Sequence, residues 1–325
     1  MRLFPAVCAL IASVLGLGPA AAQKWPERTV TLVVPFAAGS ATDVLGRVLA
    51  NALSEQLGAN VIVENVSGGG GMTGAARVAR AEPDGYQVVL GNIATHAHSQ
   101  SLYRKPAYNA ETDFEHVALV GDLPAILLGR KDVPATTLKE FVDYLKQNQS
   151  KLQFGSAGTG SASHLGCALV HAAIGVDVTH VPYRSAPLAM QDMVAGRIDY
   201  QCGLLPSPIG QIREGQVKAF ALLAASRSSA LPDVPTAEEQ GMPGLDASAW
   251  HGLFLPKGTP VEIVQKLNAA TAAALDNPKV QQQFANQGAI LPAKDRRSPE
   301  ALKTFVRIEV ERWGKTIRAM NLELN

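Results

Sequence analysis

Val33-Val34-Pro35-Phe36-Ala37-Ala38-Gly39-Ser40-Ala41-Thr42-Asp43 is the stretch on which the fold turns. An apolar, β-rich run enters a turn bearing Pro35 and Gly39, and a helix begins beyond it. Such a handover aims the first, unpaired N–H groups of the helix at one point above the sheet edge. The helix dipole adds partial positive charge there, so the point attracts anions. The same construction returns at Leu152-Gln153-Phe154-Gly155-Ser156-Ala157-Gly158-Thr159-Gly160-Ser161-Ala162-Ser163-His164. Two such turns in one chain predict a two-jawed receptor for a small anion. In the first jaw the amides of Ala38, Gly39 and Ser40 are the expected donors, with Gly39 allowing close backbone approach. Ser40 and Asp43 also have capping-box spacing, so Asp43 reads as a helix cap that reaches back to the Ser40 amide. In the second jaw Thr159 or Ser161 caps the helix, and the remaining neutral donors suit a carboxylate without Lys or Arg.

Outward from these turns, strand-like and helix-like segments alternate. Strands are expected over 29–35, 61–64, 87–90, 125–128, 152–155, 178–181, 198–201 and 217–224. Helices are expected over 41–57, 73–81, 138–147, 161–174, 187–195, 260–275, 278–286 and 299–320. In the helix over 41–57, Val44, Leu45, Val48 and Leu49 fall at helical spacing and form an apolar face. Alternation of this kind predicts an α/β architecture of parallel sheets covered by helices. No Pro/Gly/Ser-rich linker separates two halves. That fits two domains joined by two chain crossings, expected near 121–123 and 221–224. The expected division is a first domain from 23–122 plus 222–325 and a second from 123–221.

Residues 1–22 read as a secretory signal peptide: Arg2, an apolar body over 3–17, and Ala20-Ala21-Ala22 as the cleavage site. The apolar body is short for a membrane span. Its removal takes away Arg2 and no acid, which leaves 28 bases against 28 acids. A balanced charge argues against a nucleic-acid surface. Cys8 lies in the leader, so Cys167 and Cys202 remain. In an oxidising compartment they form one disulfide or stand as two buried thiols.

Other motifs carry little chemistry. Gly69, Gly71 and Gly74 spell G-x-G-x-x-G, but Leu90-Gly91-Asn92 offers no acid for a ribose; the glycines read as a turn with close helix–sheet packing. His164, Cys167 and His171 share one predicted helix face without an evident fourth ligand, so no metal is expected. No Gly-x-Ser-x-Gly elbow and no paired carboxylates point to catalysis, and no cofactor is expected.

Trp25-Pro26, the stretch 34–43, Val63-Glu64-Asn65, Pro83-Asp84-Gly85-Tyr86, Thr95-His96, Ser101-Leu102-Tyr103, Ser156-Ala157-Gly158-Thr159-Gly160-Ser161, Ser163-His164-Leu165, His180-Val181-Pro182-Tyr183, Leu231-Pro232-Asp233-Val234-Pro235-Thr236 and Pro256-Lys257-Gly258-Thr259-Pro260 occur in that order along nearly the whole chain. Together they resemble the Bug-type substrate-binding proteins of tripartite tricarboxylate transporters. The resemblance implies a periplasmic, monomeric binding protein of the type II, Venus flytrap architecture. It implies two helix-flanked sheets, a crossing hinge, a small organic anion in the cleft and membrane permease subunits as partners. Carried over, Phe36, Ala38, Gly39, Ser40 and Thr42 form one wall, with Asn92 and Thr95 on the neighbouring loop. Thr159, Gly160 and Ser161 face them from the other domain, with Tyr183 nearby. Ala38-Gly39-Ser40 stands where the family has Pro-Gly-Gly, Thr159 where it has Asn, and 66–71 where it has Arg-Pro-Gly-Ala-Gly-Gly. These departures bear on the ligand rather than the fold. Two other roles fit the same residues: a ligand-binding partner of a sensor kinase, and an exported hydrolase or isomerase.

Overall fold

The computed structural model describes residues 25–322; the expected leader, residues 1–22, lies outside them. Two five-stranded sheets organise the molecule. The first contains β1 (Val30–Val34), β2 (Val61–Asn65), β3 (Gln87–Asn92), β4 (Phe114–Leu123) and, from far downstream, β10 (Ala249–Pro256). The second contains β5 (Ala125–Arg130), β6 (Gln153–Ser156), β7 (Thr179–Pro182), β8 (Tyr200–Leu204) and β9 (Val217–Leu223). Their orders are β2-β1-β3-β10-β4 and β7-β6-β8-β5-β9.

Helices cover both faces of each sheet, and each sheet with its helices is called a lobe below. The first lobe carries α1 (Ala41–Leu57), α2 (Met72–Ala79), α3 (Ser99–Leu102), α8 (Val261–Asp276), α9 (Pro278–Asn286) and α10 (Pro299–Ala319). The second carries α4 (Leu138–Asn148), α5 (Ala162–Ile174), α6 (Ala186–Val194) and α7 (Ile209–Arg213).

Local chemistry explains the helix that opens the first jaw. Ser40 caps α1, Leu45, Leu49 and Leu53 are buried beneath it, and Gly58 ends it in the left-handed region. That apolar face packs with β1, β3, α8 and α9 into one core. The opposite face of the sheet packs against α2 and α10. The second sheet is likewise covered on both faces. Cys167 on α5 and Cys202 on β8 are joined by a disulfide that closes 35 residues of the second lobe. On the chain-entropy account such a loop contributes about 3–4 kcal/mol.

The sheets are mixed, which corrects the expectation of parallel sheets. β1 runs parallel to β2 and β3, and β6 to β7 and β8. β10 runs antiparallel to β3 and β4, and β5 to β8 and β9. The reversed strands are those that enter from the other lobe. Each arrives without a crossover helix from its own sheet, so the rule that makes successive strands parallel does not apply to it. β4 and β10 are strands beyond those expected from the sequence. All eight residues of β10 are buried, so no alternation marks it as a strand.

The chain passes from β4 to β5 through Pro124 and returns after β9, with β10 starting at Ala249. Leu204, at the end of β8, packs against the cores of both lobes.

Candidate functional site

Between the lobes lies a small cavity lined by Phe36, Ser40, Ala41, Thr42, Asn92, Ala157, Ser161, Ala162, Ser163, Ala186, Leu204 and Ser207. Its volume is about 40 Å³, room for a few waters or a compact polar group. None of these lining residues has a charged side chain.

Three helix openings supply the wall. At α1, Ser40 Oγ accepts the Asp43 amide at 3.2 Å. The Gly39 amide donates to Asp43 Oδ2 at 2.9 Å and the Ser40 amide to the Ala37 carbonyl at 3.1 Å. This corrects the expected capping box: the Asp43 carboxylate takes the Gly39 amide, because a tight turn already holds the Ser40 amide. Gly39 and Ser40 are therefore occupied as donors. Ala41 and Thr42, both buried in the cavity wall, begin the helix, and their amides precede any intrahelical acceptor.

At α5, Ser161 Oγ accepts the His164 amide at 3.3 Å, which leaves the Ala162 and Ser163 amides as first-turn donors. Ser163 Oγ accepts the Ala157 amide at 2.9 Å and lies 3.1 Å from Ser161 Oγ. The Gly160 amide donates to His164 Nδ1 at 3.2 Å. Burial lowers the His164 pKa to about 4, so the ring is neutral and able to accept. The third opening is α6. Ser185 caps it, Ala186 lines the cavity, and Pro187 has no N–H to offer.

Asn92 Oδ1 accepts the Ala94 and Thr95 amides at 3.0 and 3.3 Å. That orients its amide so that Nδ2 is left as a donor. Thr42 Oγ1 lies 3.0 Å from His251 Nε2, on the neighbouring strand β10.

Of the residues singled out from the sequence, Phe36, Ser40, Thr42, Asn92 and Ser161 meet in this wall. Ala38, Gly39, Thr95, Thr159, Gly160 and Tyr183 stand outside it. Thr95 Oγ1 holds the turn after β3, accepting the Asn92 amide at 2.9 Å. Tyr183 Oη donates to Asp192 Oδ2 at 2.7 Å. Thr159 and Gly160 form a contact with the first lobe. A Cβ placed on Gly70 would come within 2.6 Å of the Thr159 carbonyl oxygen and 3.1 Å of the Ser161 amide nitrogen. Gly70 has φ +62, so only a glycine sits there without strain. Close packing also explains Gly74, whose Cβ would meet the Val66 carbonyl at 2.7 Å.

Ala186, Leu204 and Ser207 escaped the sequence reading. Ser185-Ala186-Pro187, a cap followed by proline in the first turn, is the signal that marks the third opening. Among the described residues no cluster of three or more His, Cys, Asp or Glu is placed to hold a metal. Cys167 is in the disulfide, and His171 Nε2 lies 2.6 Å from Tyr200 Oη. No helix among the described residues is long and apolar enough to cross a membrane.

Comparison with known proteins fits this geometry. The model of the tripartite tricarboxylate transporter family receptor matches residues 45–322. A UPF0065 protein from the TAR-I ttuE–ttuC′ intergenic region of Agrobacterium vitis is 40% identical over 308 residues, 95% of this chain and 89% of the relative. The periplasmic binding protein BugD superposes with a TM-score of 0.88 at 38% identity, covering 92% of this chain and 99% of BugD. MatC from Rhodopseudomonas palustris, solved with bound malate, superposes at 0.86 with 41% identity, covering 90% of this chain and all of MatC (100%). The agreement runs through both lobes, and the chain belongs to the tripartite tricarboxylate transporter receptor family, the Bug-type receptors, which bind solutes rather than transform them.

Proposed function

We propose that this chain is a periplasmic receptor for a small carboxylate, held between the lobes and delivered to the permease subunits of a tripartite tricarboxylate-type transporter. The observation that carries the reading is the convergence of the α1, α5 and α6 openings on one cavity without a charged side chain in its wall. Backbone amides at helix starts hold an anion without a full counter-charge. The Ala41, Thr42, Ala162 and Ser163 amides with Asn92 Nδ2 are the donors; Phe36 and Leu204 form the apolar wall. That MatC was solved with malate supports a carboxylate guest, and BugD is a periplasmic relative. Residues 1–22 act as the export signal. Residues 23–122 plus 222–325 and residues 123–221 move as two bodies about the crossings, and the guest favours closure because only the closed form offers both jaws.

Thermal unfolding and calorimetry with a panel of mono-, di- and tricarboxylates test this, with sugars and cationic amino acids as comparators. Carboxylates should stabilise the protein, by about 2.7 kcal/mol at a hundredfold excess over Kd. Stabilisation by a sugar or an amine, with none from any carboxylate, overturns the reading.

A further inference from the structure

Thr42 lines the cavity, and the proton of its hydroxyl has a fixed destination. His251 is fully buried on β10, and its Nδ1 lies 2.9 Å from the Ala249 carbonyl oxygen. A carbonyl oxygen only accepts, so Nδ1 carries the ring proton. Burial lowers the His251 pKa to about 4, which leaves Nε2 bare at neutral pH. Thr42 Oγ1, 3.0 Å from Nε2, must therefore donate to it. The hydroxyl keeps only lone pairs for anything else. The first-turn amides of α1 and α5 and Asn92 Nδ2 offer the opposite, only protons, while Ser40, Ser161 and Ser163 carry hydroxyls that can donate or accept and Ser207 gives its proton to the Gly39 carbonyl at 3.4 Å.

A hydroxyl fixed as an acceptor beside these amides opposes a carboxylate or carbonyl oxygen placed against it and pairs with an O–H. We propose that the Thr42–His251 pair makes the cleft select carboxylates bearing a hydroxyl on the adjacent carbon over their deoxy and 2-oxo counterparts. This rests on the cleft being a carboxylate site. An ammonium group would donate equally well, but no acidic side chain lines the cavity. The nearby Asp43 carboxylate is already engaged by Gly39, Arg47 and Asn65. A hydroxyl satisfies Thr42 without a charge to bury. Thr42 is the specificity-determining residue, and His251 is a positioning residue that acts through it.

Calorimetry with two triads tests the assignment: lactate, pyruvate and propionate, then malate, oxaloacetate and succinate. The 2-hydroxy member should bind about tenfold more tightly than its deoxy and oxo partners, the worth of one hydrogen bond and the avoided unpaired acceptor. In Thr42→Val the preference collapses towards one. In His251→Leu the Thr42 proton is released and can serve an oxo group. The hydroxy-to-oxo ratio then falls while the hydroxy-to-deoxy ratio persists. Near-UV circular dichroism checks that both variants fold; if either does not, the wild-type ratios alone decide. Ratios within about threefold in both triads, or a Thr42→Val protein with the wild-type ratio, overturn the inference and leave the carboxylate site standing. Absence of binding by every carboxylate overturns both.

Discussion

The two jaws have the same outline and different fastenings. Each is a strand, a glycine-bearing turn and a helix capped by serine, Ser40 in one and Ser161 in the other. The first is tied by an ion. Burial opposes the Asp43 charge, but Arg47, the Gly39 amide and Asn65 outweigh it, and its pKa is lowered. The second is tied by neutral groups: Ser163 holds the Ala157 amide and His164 holds the Gly160 amide. The difference teaches that one backbone geometry can rest on charge or on hydroxyl and imidazole acceptors, and that the choice sets what the jaw withstands.

Acid should separate the two most strongly. His164 has a pKa of about 4 in the fold against 6.5 for an ordinary histidine. The stability contributed by its neutral form is complete above 6.5 and is lost as pH falls towards 4. Asp43, lowered from 3.8, keeps its charge through that window. All seven histidines of the sequence are pushed down by burial. Asp122, raised by burial to about 6, works in the opposite direction. Denaturant melts at pH 7 and pH 4.5 should show a large loss of stability at the lower pH, to which His164 alone contributes about 2–3 kcal/mol. In native-state hydrogen exchange the protection factor of the Gly160 amide should fall before that of Gly39. Simultaneous loss would break the distinction between the jaws.

Gly70 tests their approach. Gly70→Ala places a methyl against the Thr159 carbonyl of the opposite lobe, whereas Gly69→Ala, also at positive φ, meets only Met72 and Thr73 of its own lobe. Carboxylate affinity should fall about thirtyfold in the first, roughly 2 kcal/mol, and much less in the second. Equal losses would mean backbone strain is responsible. The smallest effects are in the fastenings themselves. Asp43→Asn should destabilise by about 1–2 kcal/mol, since it disrupts a charged network, and Ser163→Ala by about 1 kcal/mol. The Asp43 loss should shrink in high salt and the Ser163 loss should not. Urea melts at low and high salt check both.

Much of this was legible in the chain. Ser40 and Ser161 announce their helices, and the turns at 35–39 and 157–161 mark where the amides gather. Which amides remain free was not legible. The Asp43 carboxylate could take either the Ser40 or the Gly39 amide by sequence spacing, and a turn bond to Ala37 decides it. His251 reaches Thr42 from 209 residues away, a pairing only the folded sheet creates. β10 hid because a strand buried on both faces has no alternation to read.

β10 lies between β3 and β4 and pairs with both. A growing polypeptide releases β3 and β4 long before the strand that must slot between them. The second sheet has all five of its strands by Leu223, and the segment that bonds to β9 and closes its cores, through Thr236 to Ala247, follows directly and ends before β10. Maturation therefore runs against chain order: the half begun first is completed last, and it waits with unpaired strand edges of the kind that recruit foreign strands. Demand for folding helpers should concentrate on that half, and a chain truncated before Ala249 should keep its middle intact while its beginning gathers into aggregates.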